Sequence, residues 1–305
     1  ICILSGWGIR ANAQAFTFTA GQLNYSESYD GMGPTGTSFL NGWTAIRYAG
    51  TGVVGEVLTM QVTDGSSNAG AIYNVGTTGA DDRSFGSLGS GSTVPRFGAS
   101  FLNSTGSGIT SIALTGMMEQ WRTGSTNTVT EIYAFEYSLD ATDLTTGTWV
   151  AVSSFDLVEK ITSSTTAAAL DGNLAENQTA ISATIVGITW TAGSTLWIRW
   201  SDVNDLGSDG ICTIDNLAMN VTTGTVTADP EPSNYPTTFA ASSAGTSITS
   251  SWTDASGAQL PVGYLVKIST SSTIPSPVDG TFVADDLDFS DGNGAKNVLF
   301  GQQNY

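Results

Sequence analysis

The chain has 305 residues, 40% hydrophobic and 10% aromatic, which excludes a disordered polymer and allows a full core. Its 27 acids against 9 bases give a net charge of −18, so no nucleic-acid groove is expected. It contains no histidine, which removes Ser-His-Asp and Cys-His nucleophile systems, histidine general bases and histidine-ligated zinc.

Residues 1–15, ICILSGWGIRANAQA, pair an apolar run with the small-x-small pattern Ala13-Gln14-Ala15. This predicts the remnant of a secretory signal peptide whose basic start is missing. An ordinary first strand is the competing reading, and Arg10 sits awkwardly for a leader. Cys2 falls in this segment, which leaves Cys212 without an intramolecular partner, and its place in a strand pattern predicts a buried, inert thiol. No other run is long and apolar enough to predict a transmembrane segment.

Period-2 alternation recurs from Phe16 to about Val221. It marks Glu56 to Val62, Gly108 to Trp121, Thr130 to Leu139, Thr148 to Leu157, Thr179 to Trp190 and Ser194 to Trp200. Turn clusters such as DGSSNAG and STGSG separate these runs, and no stretch holds a helical period; Ala167 to Leu170 allows one turn of helix at most. The prediction for residues 16–224 is therefore all-β, a jelly-roll-like antiparallel β-sandwich. Residues 225–235 concentrate proline and acid and read as a linker. Residues 236–305 resemble the first part of a fibronectin type III domain, an Ig-like sandwich, with Trp252 as core tryptophan and GYLVKIS as the following strand. At about 70 residues against the roughly 100 of such sandwiches, this second domain is expected to be incomplete.

The densest chemistry lies in LWIRWSDVNDLGSDGICTIDN, Leu196 to Asn216. Strand period places Leu196, Ile198 and Trp200 on one face and Trp197 and Arg199 on the other. It also places Ile211, Thr213, Asp215, Leu217 and Met219 on one face, so Asp215 is predicted to point inward and to need a partner. Asp202, Asn204, Asp205, Asp209 and Asp215 together offer the hard oxygen ligands that calcium takes, making calcium the one candidate cofactor. The alternative is that these residues cap turns and that Asp215 bonds backbone amides.

From about Gly42 to Val221 the chain resembles a recurrent β-sandwich module of secreted bacterial proteins. The matching pieces are DDRSFGSLGSG, EQWRTG, TGTWVAVSSFDL, ALDGNLAEN and the aspartate-rich run. The resemblance implies a secreted or bacterial outer-surface location, neighbouring fibronectin-like, lamin-tail, sorting-tail or hydrolase domains, and no catalytic residues. It also implies a histidine where this chain has Gly210.

Glu119, Trp121 and Arg122 form a candidate ligand-binding group, because an exposed indole stacks on sugar faces while acids and bases bind hydroxyls. Burial of Trp121 in a core is the competing reading. Glu131 and Glu136, five apart on a strand pattern, fall on opposite faces and make no glycosidase pair. The aspartates at 285, 286, 288 and 291 fail the EF-hand spacing and read as a solvated turn. The expected function is a non-catalytic extracellular binding or adhesion module for a polysaccharide, cell-surface or matrix component. The alternatives are an accessory region of a secreted nuclease- or phosphoesterase-type hydrolase and a structural spacer.

Overall fold

A computed structural model describes residues 15–126, 129–224, 234–245, 247–257, 260–261, 263–274, 276–277, 283 and 285–305. The leader reading, apart from Ala15, and most of the 225–235 linker lie outside the described residues, as does Cys2. The chain divides into two compact units, Ile1–Val226 and Thr227–Tyr305.

In the first unit the strands follow in chain order: β1 (Phe16–Thr19), β2 (Asn24–Glu27), β3 (Trp43–Ala49), β4 (Gln61–Thr63), β5 (Ala71–Val75), β6 (Ser84–Leu88), β7 (Val94–Ser104), β8 (Gly108–Arg122), β9 (Ile132–Ser138), β10 (Val150–Ala151), β11 (Leu157–Val158), β12 (Gln178–Trp190), β13 (Thr195–Ser201) and β14 (Ile211–Gly224). They form two sheets. Sheet one runs β1-β7-β13-β9-β10, with β3 also on β7 and β11 also on β9. Sheet two runs β12-β8-β14-β6-β5-β4, with β2 also on β14. Most pairs are antiparallel; β1 on β7 and β4 on β5 are parallel.

The sheets enclose one apolar core, as strands with alternating bulk must when a partner sheet is present. Sheet one contributes Phe97, Phe101, Phe135, Leu196, Ile198 and Trp200, and sheet two Phe85, Ile112, Leu114, Ile214, Leu217 and Met219. Leu196, Ile198 and Trp200 do share the core face of β13, while Trp197 packs on the opposite face with Ile46, Ala141 and Leu144. Trp200 sits at the centre, stacked on Phe97 at 5.6 Å and against Phe135 at 4.9 Å, its indole N–H donating to the Phe155 carbonyl at 3.1 Å. Deleting such a ring costs about 3–5 kcal/mol.

Three local expectations need correction. Glu56 to Val62 yields only the short β4, because Leu58 and Met60 bury themselves without a continuous ladder. Thr148 to Leu157 breaks into β10, a turn of 3-10 helix over Ser153–Phe155 and β11; Phe155 is buried there and the Asp156 carboxylate accepts from the Phe135 amide at 2.7 Å. Asp215 does not share a face with Leu217 and Met219. A β-bulge on β14 intervenes, with Asp215 opposite Met117 but Ala218 opposite Thr115, and Asn216 adopts φ 49. The extra residue resets the alternation, so Cys212 and Ile214 face the core before it and Leu217, Met219 and Val221 after it. Asp215 thus lies on the other face of sheet two. No helix forms at Ala167 to Leu170, where Ala169 makes an isolated bridge to Arg122.

The second unit has β15 (Thr237–Ala244) paired antiparallel with β16 (Ser247–Thr253), and β17 (Gly263–Ser269) paired antiparallel with β18 (Asn293–Leu299). Trp252 is buried against Tyr264, ring centroids 5.8 Å apart. Asp288 and Asp291 serve local turns, accepting from the Ser290 and Asn293 amides, while Asp285 binds Lys296 and Asn297 of β18. Among the described residues no helix is long and apolar enough to cross a membrane.

Candidate functional site

The topology gathers four carboxylates that sequence order keeps apart. Glu131 immediately precedes β9, Glu159 follows β11, Asp202 follows β13, and Asp209 lies two residues before β14. All four are buried. Glu131 and Asp202 sit near Tyr133 of sheet one, whose hydroxyl donates to the Ser87 carbonyl of sheet two at 2.8 Å; these two and Glu159 sit near Cys212 on the core face of β14, and Asp209 near Glu131 and Glu159. The interior is therefore aromatic at its centre and acidic at one end.

Two of the four are satisfied. Asp202 accepts from the Ser87 hydroxyl at 2.7 Å and from the Val203 amide at 2.7 Å. Glu159 accepts from the Gln120 amide group at 2.9 Å and from the Gly124 amide at 3.3 Å. The other two are not. Glu131 Oε1 accepts from the Gly210 amide at 2.6 Å, but its Oε2 has no partner, and neither oxygen of Asp209 has one.

Burial disfavours the charged form of Glu131, Asp202 and Asp209, and the crowding of like charges adds to it. Burial pushes Glu131 up to about 9, eased by the Gly210 amide and raised further by Asp209. Burial and then the Asp205 charge push Asp209 up to about 7, eased by the Asp205 main-chain amide. Asp202 is driven well above the usual carboxylate range, also by burial. The Cys212 thiol is raised by the same two causes, which makes it an inert core thiol.

The five predicted calcium ligands do not converge. Asp209 and Asp205 raise Asp202, and Asp205 raises Asp209, with Asn204 exposed in the same loop. Asp215 belongs elsewhere: its charged neighbours are Glu119, Asp82 and Asp30. Its oxygens accept from the Asn216 amide and the Asn216 side chain, both at 2.6 Å, so a backbone group and a neighbouring amide meet the need for a partner. Burial raises Asp215 to about 7, with Glu119 contributing. Among the described residues no three His, Cys, Asp or Glu side chains form a group able to hold a metal ion.

The ligand-binding trio is also relocated. Trp121 is 1% exposed, packed with Tyr73, Val75, Leu88 and Ile211, and its N–H donates to Glu119 at 2.9 Å. Glu119 accepts further from Gln178 at 2.9 Å, and the Arg122 guanidinium donates to the Gly65 carbonyl at 3.2 Å. Trp121 and Glu119 serve each other and Arg122 serves the 65–66 turn, so the three present no sugar platform. As expected, Glu136 and Glu131 point to different places: Glu136 pairs with Arg199 at 2.7 Å.

The open surface is on sheet one instead. A cleft of about 1150 Å³ lies along β3, lined by Phe39, Asn41, Val54, Glu56, Asp143, Thr145 and Trp197 among others. Beside it the Arg96 guanidinium lies over the Tyr48 ring at 3.4 Å and that of Arg199 over Trp149 at 3.7 Å. Both arginines donate to the Leu144 carbonyl, which pins residues 139–149 across this face.

No family model matches the chain, and no curated protein matches it. Solved structures with related arrangements include the CBM22-1 xylan-binding domain of Xyn10C from Paenibacillus barcinonensis, at 10% identity and TM-score 0.32, covering 70% of this chain and 99% of that one. The K1 cleaved adhesin domain of Lys-gingipain from Porphyromonas gingivalis W83 is 17% identical with TM-score 0.34, covering 65% and 98%. The xylan-binding module CBM15 is 14% identical with TM-score 0.30, covering 62% and 95%.

Proposed function

We propose that this chain is a non-catalytic extracellular binding or adhesion module, whose first unit engages a polysaccharide or a cell-surface or matrix component. The observation that carries this reading is the cleft along β3. Its lining mixes apolar side chains with amide, hydroxyl and carboxylate groups, the mixture that sugar faces and hydroxyls call for. The lack of histidine supports a binding role over a hydrolytic one. Secretion, a fibronectin-like second unit within a longer surface protein, and a calcium-stabilised fold complete the reading.

The test is retention of the full chain on insoluble polysaccharides, xylan among them, and on matrix-coated beads. Asn41→Ala and Glu56→Ala are each expected to weaken retention about tenfold, the worth of one hydrogen bond to a charged or polar ligand group. The surface ion pair of Glu56 with Arg47 at 3.3 Å adds little to stability, so folding is a built-in control. Wild-type protein that passes through every matrix unretained would overturn the reading.

A further inference from the structure

The geometry points to a hard-cation site at the acidic end of the first unit's interior, with Asp209 and Glu131 as its carboxylate ligands and calcium as its ion; it rests on the calcium element of the reading above. Asp209 and Glu131 are each 4% exposed. Three of their four oxygens have no hydrogen-bond donor. A carboxylate so buried calls for a compensating charge, and among the described residues no ion pair reaches either one. The described ion pairs join Arg47 to Glu56, Arg199 to Glu136 and Lys296 to Asp285, all elsewhere. Arg122, close in sequence, turns its guanidinium towards Gly65.

Glycines let the main chain approach the two carboxylates closely, where any side chain would intrude. A β-carbon added at Gly89 would fall 2.9 Å from Asp209 Oδ2 and overlap the Val203 carbonyl oxygen. One added at Gly210 would fall 2.7 Å from the Arg122 carbonyl oxygen and 3.2 Å from Glu131 Oε2. At Gly124 it would meet Glu131 Oε1 at 3.1 Å and the Ser208 carbonyl oxygen at 3.2 Å. Three side-chain-free positions thus border the two open carboxylates and three main-chain carbonyls.

The donor set is all oxygen, without imidazole, which selects a hard cation over a transition metal. It is no preformed cage of three acids. Two carboxylates completed by carbonyls and water suit calcium, which tolerates a large, irregular shell, better than magnesium, which demands a tight octahedron. Asp202 and Glu159, already hydrogen-bonded, lend negative potential from outside the ligand set.

The experiment uses the full chain stripped with a chelator, then titrated with calcium or magnesium by calorimetry and followed by thermal melting near neutral pH. Wild-type protein should bind calcium in preference to magnesium. Its Tm should rise by about 5 °C or more at a hundredfold excess over Kd. Asp209→Asn and Glu131→Gln should each weaken calcium binding at least about tenfold; Asp215→Asn should leave it unchanged. Should Asp209→Asn fail to fold, Glu131→Gln carries the test, because glutamine keeps the acceptor that the Gly210 amide needs. The proposal is overturned if calcium neither binds nor raises the Tm. It is equally overturned if the response survives both Asp209→Asn and Glu131→Gln, or disappears in Asp215→Asn. Polysaccharide retention on the same samples separates the two readings: retention without calcium binding sinks the cation site alone, and calcium binding without retention sinks the polysaccharide reading alone.

Discussion

Asp209 and Asp215 lie six residues apart around the start of one strand, each is 4% exposed, and burial lifts each to about 7. Their surroundings differ in one respect. Asp215 is met by two donors of Asn216 in full hydrogen-bonding geometry, whereas Asp209 has only the Asp205 main-chain amide nearby, outside that geometry. Equal burial therefore describes two different situations. One carboxylate is a finished structural device; the other is an open valence. What separates them is how well a donor is placed, since desolvation alone acts on both alike.

The comparison can be broken most sharply at Asn216. Asn216→Ala removes a donor from a buried carboxylate and forces a β-carbon into the left-handed region, at φ 49. Destabilisation of about 3 kcal/mol is expected by chemical denaturation. Asn216→Gly accepts that backbone freely and should cost only about half as much, the residue being the lost hydrogen bond. If both variants lose the same amount, the bulge conformation plays no part.

Asp209→Asn and Asp215→Asn should move stability in opposite directions in cation-free protein. The first removes a buried, uncompensated charge and should stabilise by about 2 kcal/mol. The second disturbs a satisfied pair and should cost about 1 kcal/mol. Equal signs in urea titrations would erase the distinction between the two sites.

A smaller effect is expected from pH. The folded-state value of Asp215 lies above its value in the unfolded chain, so the folded protein holds a proton that the unfolded chain releases. That contribution is complete below about pH 4 and is lost as pH rises through about 7. Cation-free wild-type protein should lose about 1–2 kcal/mol from this group between those limits, allowing for water near the carboxyl. The corresponding slope should flatten in Asp215→Asn. A slope that the substitution leaves unchanged would assign the titration to other carboxyls.

Where alternation ran unbroken, the fold was legible in the sequence. β13 shows this best, its two faces following directly from Leu196, Ile198 and Trp200 against Trp197. The inward placement of Asp215 failed because period 2 assumes no bulge. The warning was present: Cys212 and Ile214 are out of phase with Leu217, Met219 and Val221, and an extra residue between them resolves the conflict. The acidic nest was only half visible. Asp202 and Asp209 stand in one loop, but Glu131 and Glu159 end other strands and join them only through topology. Trp121 was ambiguous for another reason. An indole beside an acid and a base reads equally as a platform or as a buried hydrogen-bonding unit, and only packing on Tyr73 and Ile211 decides.

The strand that closes the first unit is not an edge. β14 is paired along one side with β8 almost to its end, and along the other with β6 and then β2. A pull on the chain beyond Gly224 therefore cannot peel away a single ribbon. After Thr222 to Gly224, which hold β8 alone, it meets two ladders at once, from inside the sheet. For a module whose following segment transmits tension, that arrangement places the grip in the middle of the fabric and makes mechanical release an all-or-none event.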